Sequence, residues 1–579
     1  MIKKIFTLIY LTILICPSFS QERGEEPSLR REVTLYNPYI PSIPDVRKKG
    51  FLPDIVDTLT LRPSFNYQII PVQYSPEYSI SPIRPAALLP DPLPRLYKSY
   101  VKLGLGNNNT PLAELSITNE RSKKGALGLY ARHYSSNGKV PLENKQKVYA
   151  GFMDNEASLF GKKFFRRSLL DASFDFNQKT RYAYGYDTEI GLYEPDRKDI
   201  RLDYYNMGGG ISYSSTTTDS SDFLYNFGIY YNYFNHKPKK SMNHIAFNGS
   251  LATLFEGFYL GSDIRLDSYT MSDTLNLEPE YVFSVSPFVK KSSGQWNFDL
   301  GLELLLDKNL STSPSFHVYP DVNFGFTVIP EYMSFFAGLG GKLLQNNPLS
   351  VIKENPYLVP DDATLFRLPN TSHTISIKAG LKGNNGIKGN YLASVEYSKF
   401  ENMLFYGNVV FPDTASRIER GNHFLPVTSN GDLLNVHGEL TGSITKRLRF
   451  NAAANYYNYT FLKNEDPIIS DFAWNKPEWD VKLGLNYNLR DKILATAEVT
   501  ATGPRKLLTR KSATGWLTTA SHPVDQPAHV NLGIGAEYRY TKILSLWAKV
   551  NNISYQRYYE WAFYPSQMFN FLVGFTYSL

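Results

Sequence analysis

"VKLGLNYNLRDKILATAEVTATG" (residues 481–503) alternates along almost its whole length. Val481, Leu483, Leu485, Tyr487 and Leu489 fall on one side. Lys482, Gly484, Asn486 and Asn488 fall on the other, in phase with Asp480. After Arg490-Asp491-Lys492 the pattern resumes, with Ile493, Ala495, Ala497, Val499 and Ala501 set against Thr496, Glu498 and Thr500. A period of two specifies strands, and the polar triplet between the runs specifies a tight turn. "VNLGIGAEYRY" repeats the device: Val530, Leu532, Ile534, Ala536, Tyr538 and Tyr540 face one way, Asn531, Glu537 and Arg539 the other. "IKAGLKG" does so with Lys378 and Lys382, and Lys549 continues the polar side near the C-terminus.

One apolar face and one charged face on every strand requires two different solvents. A closed barrel pairs every backbone group between its strands, one of only two ways to cross lipid. Its outer residues meet hydrocarbon and its inner residues meet water. A charge on the lipid face near the midplane would cost about 2–4 kcal/mol, so the phase of each strand is strongly determined. Lys378, Lys382, Asp480, Lys482, Glu498, Glu537, Arg539 and Lys549 are therefore expected to face the lumen. Soluble sandwich strands average about 5–6 residues, shorter than these runs.

The remaining composition agrees. Of 579 residues, 42% are hydrophobic, too few for a helical membrane bundle, yet 42 Tyr and 36 Phe give an aromatic-rich chain. Net charge is a mild +7 with no dense Lys/Arg block, so no nucleic-acid partner is expected. Lys3 and Lys4, the apolar run Thr7–Cys16 and Ser18-Phe19-Ser20 read as a secretory signal over residues 1–20, with a mature start at Gln21. The run is too short to span a bilayer as a helix. The single cysteine, Cys16, lies inside it, which excludes disulfides, thiolate metal sites and cysteine nucleophiles from the mature chain.

Residues 21–96 hold thirteen of the 35 prolines and are expected to be extended or irregular. Phe51, Leu52, Ile55, Phe65, Tyr67, Ile69 and Ile70 give this segment apolar anchors, as a periplasmic tether or a strap against the rest of the protein would need. From residue 97 to 579 no helix-period stretch stands out. Short polar breaks near 122–124, 166–168, 215–221, 254–256, 291–294, 329–331, 384–387, 445–447, 490–492 and 541–542 alternate with longer connections such as 346–372, 463–479 and 503–529, which read as polar and irregular. Ten short turns predict an all-β, transmembrane antiparallel outer-membrane barrel of about 22 strands, within a range of about 14 to 22.

Catalytic spacing is absent. The nine histidines are scattered, with no zinc-protease pair and no GxSxG elbow. His244 and His437 read as strand residues facing the lumen or a girdle. Gly104 and Gly106 lie in an alternating strand with no helix after them, so they make no phosphate loop. The acidic stretches at 360–362 and 464–466 read as solvated turns. Trp474, Trp479, Trp516 and Trp561 read as sugar-stacking or interface aromatics. No catalytic residue, cofactor or metal ligand is assigned.

The chain closes with "MFNFLVGFTYSL", which sets Phe569, Phe571, Val573, Phe575, Tyr577 and Leu579 on one face. This is similar to the C-terminal sorting strand of bacterial outer-membrane barrels, which implies the barrel assembly machinery as a partner and membrane lipid around the wall. Asn551, Asn552, Ile553, Tyr555, Tyr558, Tyr559, Tyr564, Phe571, Gly574, Phe575 and Tyr577 together resemble the last strands of TonB-dependent receptor barrels. The tyrosine- and asparagine-rich style resembles outer-membrane proteins of Bacteroidota. The resemblance implies the outer membrane of a Gram-negative cell and passage or reception of a solute. It departs from the family in one respect: only some 76 Pro-rich residues precede the barrel, where those receptors carry a globular plug. A plugless relative is the expectation, and TonB coupling is left open. The alternative is a non-transporting barrel subunit of an outer-membrane complex, docking an outer-membrane or periplasmic protein through residues 21–96.

Overall fold

The computed structural model describes residues 97–579 except 120–121, 191–192, 217–222, 237–239, 273–277, 310–312, 359–367, 387, 411–419, 463–471, 513–518 and 579. The expected signal, the Pro-rich segment, the acidic stretches, Trp516 and Leu579 lie outside the described residues.

Twenty-two strands pair antiparallel in chain order and close on themselves. The closing seam joins the first strand, Ser99–Gly106, to the last, Asn570–Ser578, from Tyr100 opposite Ser578 to Gly106 opposite Leu572. No wall strand is left with an open edge, so the backbone is satisfied without water. The short connections at the end carrying Ser99 and Ser578 are the ten polar breaks read from the sequence. In the 490–492 turn, Arg490 and Asp491 adopt φ of 51° and 56°, and Lys492 N–H donates to Leu489 O at 3.0 Å.

Alternation is kept around the wall. Leu483 and Ile534 keep 45% and 47% of their surface on the outer face, and Val573 keeps 51%. Their neighbours Lys482 and Gly484, Gly533 and Gly535, and Gly574 turn inward. This belt puts the chain in an outer membrane, with the short turns on the periplasmic side. Leu483→Arg places a charge mid-strand on that belt, whereas Asn486→Arg on the same strand faces the lumen. Urea unfolding in lipid vesicles should show a loss of about 2–4 kcal/mol for the first and nearly none for the second.

At the opposite end the strands outrun the membrane. Hydrocarbon needs about 9–11 residues per strand, but Asn390–Val410 has 21 and Arg420–Ser443 has 24. Their pairing shifts by one residue between Phe400 and Met403, where Asn402 takes φ 54° and its N–H donates to Asn430 Oδ1 at 2.8 Å. Beyond this bulge the hairpin is buried on both faces. Phe405 packs against Trp474 and Leu508, while Leu404 and Tyr406 join a larger cluster. Gly407–Val410 also pairs in parallel with Leu508–Lys511.

The long connections correct the expectation of polar, irregular loops. Residues 503–529 contain an antiparallel hairpin, Arg505–Ser512 with Thr519–Gln526. Residues 346–372 contain a helix, Pro348–Glu354, where none was expected. Asn347 caps it, accepting from Ser350 N–H at 2.9 Å, Ser350 Oγ in turn accepts from Asn347 N–H at 3.0 Å, and Pro348 opens its first turn. At seven residues it shows too few turns to reveal a helical period.

Candidate functional site

Several loops at the far end fold together into a lid. Ala183 and Ile200 come from one connection, Val351, Ile352 and Leu358 from the helical one, Leu507 from the hairpin, and Ala562 and Tyr564 from the last. They pack with wall residues Tyr204, Phe234, Met242 and Tyr269 at the strand tops, forming a core inside the mouth. Aromatic rings knit it: Tyr357 and Tyr564 have centroids 3.9 Å apart, Tyr184 and Tyr564 4.9 Å, and Trp561 meets Phe424 at 5.3 Å. The phenols tie loop to loop. Tyr184 donates to Pro565 O at 2.8 Å, Tyr564 donates to Asn422 O, and Tyr559 donates to Glu143 Oε1 at 3.2 Å.

Two cavities lie among these loops and the strand tops. One, of about 390 Å³, lies between the wall and the lid; Tyr134, Phe152, Asp154 and Arg181 line it from the wall, Tyr184, Tyr357, Tyr558, Glu560 and Tyr564 from the loops. The other, of about 620 Å³, is lined by Tyr457, Tyr459, Phe472, Lys476 and Arg505 among others. Arg505 stands at the boundary, donating to the carbonyls of Tyr559 and Glu560, the latter at 3.1 Å.

The electrostatics of the first cavity are uneven. Arg181 holds Asp154 through two bonds of 2.7 and 3.1 Å, a planar two-point pair. Glu560 still touches water in the cavity, though protein surrounds it densely. That low-dielectric setting pushes its carboxyl above the ordinary value, against the opposing pull of Arg505 and Arg181. Burial likewise pushes the Tyr184 and Tyr564 phenols well above theirs, so both remain neutral donors.

The eight charges expected in the lumen do not converge on one site. Asp480 accepts from Asn455 Nδ2 at 3.2 Å and from Tyr457 at 3.0 Å near the lid end. Glu498 and Lys549 approach to 3.7 Å, with side chains 63% and 45% exposed to lumenal water. Lys482 shares a small cavity with Glu498. Lys378 stands in register with Gly338 and Glu396, Lys382 with Ser334 and Leu392, Glu537 with Leu494 and Trp547, and Arg539 with Ser545. Phe569, Phe571, Phe575 and Tyr577 share the outer face of the last strand's end. His244 faces inward and bonds Asp267 at 2.8 Å; His437 bonds Asn455 and Glu439. Trp474 and Trp561 are lid core rather than free stacking platforms, because both are enclosed by neighbouring aromatics.

Sequence reasoning passed over Asp154, Arg181, Tyr184, Tyr357 and Glu560. The available signal was the aromatic density of two connections, "YAYGYD" (182–187) and "YYEWAFYP" (558–565), too apolar for freely solvated loops.

Solved structures share this architecture. The FrpB iron transporter from Neisseria meningitidis superposes with a TM-score of 0.62 at 12% identity, over 84% of this chain and 82% of that one. A point mutant of the ferric enterobactin receptor PfeA from Pseudomonas aeruginosa gives 0.59 at 12%, over 83% and 80%. The siderophore receptor PiuA from Acinetobacter baumannii gives 0.58 at 12%, over 84% and 82%. No protein-family model and no curated protein sequence matches the chain. The likeness to TonB-dependent receptor barrels read from the last strands thus extends, as a fold, around the whole wall.

Proposed function

We propose that this chain is an outer-membrane receptor and conduit for a small solute, taken up beneath the lid and passed down the polar lumen. The observation that supports this most is the cavity of about 390 Å³ between wall and lid, lined by aromatic, polar and charged side chains instead of being packed solid. Cavities of about 300–1,000 Å³ with a few polar groups among aromatic walls are the usual form of small-molecule sites. FrpB, PfeA and PiuA are described as an iron transporter, a ferric enterobactin receptor and a siderophore receptor. Solute reception is therefore consistent with the fold.

A second reading, a sealed barrel serving as a subunit of an outer-membrane complex, draws support from the lid core across the mouth. Planar-bilayer recording of the full chain separates the two. The receptor reading expects a barrel shut most of the time with infrequent openings. A record without any opening, from protein shown to be folded, would favour the sealed subunit.

A further inference from the structure

We infer that the cavity under the lid is a binding site for a small organic cation, an amine or quaternary ammonium. This deepens the receptor reading and rests on it. The inference comes from which lining groups are already engaged. Arg181 spends its guanidinium on Asp154 and on Thr180 O at 2.9 Å, so that pair is neutral as a unit. Tyr184 and Tyr564 donate their hydroxyls to backbone carbonyls. Gln567 donates to Ala150 O at 2.9 Å and accepts from Ser136 at 3.2 Å.

Two acceptors are left over. Glu560 makes no ion pair within 4.0 Å among the described residues. Asn570, 8% exposed and on the cavity wall, has an Oδ1 with no hydrogen-bond partner. With Arg181 cancelling Asp154, the wall carries the single negative charge of Glu560. The same lining holds six aromatic rings, Tyr134, Phe152, Tyr184, Tyr357, Tyr558 and Tyr564; Arg132 and Arg181 already face the first two, which leaves the four phenols of the loops. A carboxylate among aromatic faces matches a cation, which gains from the ring quadrupoles and the charge and, where it carries an N–H, from a hydrogen bond to the amide oxygen. An anion would meet the net negative charge of this lining, which Arg505, bonded to the Glu560 carbonyl, offsets from behind without pairing the carboxylate. A neutral sugar would leave the charge uncompensated.

The test is calorimetry on the detergent-solubilised full chain, with n-butylammonium and tetramethylammonium as probes and n-butanol and glucose as controls. The ammonium ions should bind and the controls should not. Glu560→Gln should weaken n-butylammonium binding roughly ten- to hundredfold, the worth of one hydrogen bond to a charged group, and should weaken tetramethylammonium, which has no N–H, by less. Glu498→Gln, on a lumenal carboxylate outside this cavity, should change nothing. Heat-modifiable gel mobility confirms that each variant is folded.

Affinity should also rise with pH. Below the elevated value of Glu560 its carboxyl is neutral and binding is weak; above it the carboxylate is formed and binding is full. The other groups facing it are Arg181 and Asp154 on the wall, Arg505 on the hairpin, and the neutral phenols of Tyr184, Tyr357, Tyr558 and Tyr564. Both cations stay charged across this range.

Absence of ammonium binding overturns the inference, as does binding indifferent to Glu560→Gln or glucose bound more tightly than the amines. Because calorimetry needs no conduction, amine binding by a protein that never opens would sustain the site and sink the conduit. Openings without amine binding would do the reverse.

Discussion

Gly574→Val is expected to yield a chain that never closes into a barrel. Gly574 lies on the lumenal face of the last strand, opposite Gly104 of the first across the seam and opposite Trp547 on its other side. The Trp547 indole lies over both glycines, with Lys102 Nζ 4.7 Å from its ring centre. A Cβ at Gly574 would sit 1.9 Å from Leu103 O and 2.7 Å from Gly104 Cα. Those are backbone atoms of the seam, so no rotamer change relieves the overlap. Parting the strands would leave two rows of unpaired backbone groups at membrane depth, each costing several kcal/mol. The variant should lose heat-modifiable mobility on gels. Gly104→Ala gives an internal comparison, because there the added Cβ meets mainly the Trp547 ring, at 2.5 Å. Trp547→Ala should therefore rescue Gly104→Ala and leave Gly574→Val unfolded. A Gly574→Val barrel with native mobility would mean that the seam is not paired in this register.

Excising the lid should turn a mostly closed barrel into a steady pore. The geometry permits this without cutting the wall. Leu344 and Thr371 are register partners, and so are Asn551 and Asn570, so residues 345–370 and 552–569 can each be replaced by a short turn. The double excision removes Val351, Ile352 and Leu358 from one side of the lid core, and Trp561, Ala562 and Tyr564 from the other. Planar-bilayer recordings should then show large, long-lived conductance steps, and each single excision a smaller, noisier increase. The open lumen would present charges of both signs, Lys482, Glu498 and Lys549 among them, so only weak ion selectivity is expected. If the doubly excised, folded barrel stays silent, the block lies elsewhere in the chain and the lid is no gate.

The two predictions draw on parts of the molecule that were unequally legible. The wall could be read because its cause is local. Lipid on one side and water on the other impose a period of two on each strand separately, and turn residues such as Arg490-Asp491-Lys492 mark each reversal. A count of short breaks therefore gave about 22 strands, at the upper edge of the expected range. The lid could not be read, because its cause is long-range. Ala183, Val351, Phe424 and Tyr564 acquire meaning only once the wall brings their loops together. The helix is too short to announce itself, and the extra residue at Asn402 moves Phe405 onto the face of Phe400, which strict alternation denies it. The charges expected in the lumen came from alternation strand by strand, whereas Glu560 joins Asp154 and Arg181, which sit on adjacent strands, from a loop far along the chain.

That long-range origin also sets a clock. The lid joins Ala183 to Tyr564, and its loops meet only after the intervening strands have curved into a ring. Contacts between such distant segments form slowly, because the chain must be ordered before they repay the loss of freedom. The lid is therefore the last element to fold, and its protection from hydrogen exchange should arrive after that of every wall strand. Until then a newly made barrel would span the membrane with the loops at its mouth not yet packed together, so a conductance present early and lost on maturation is the expected trace of this order.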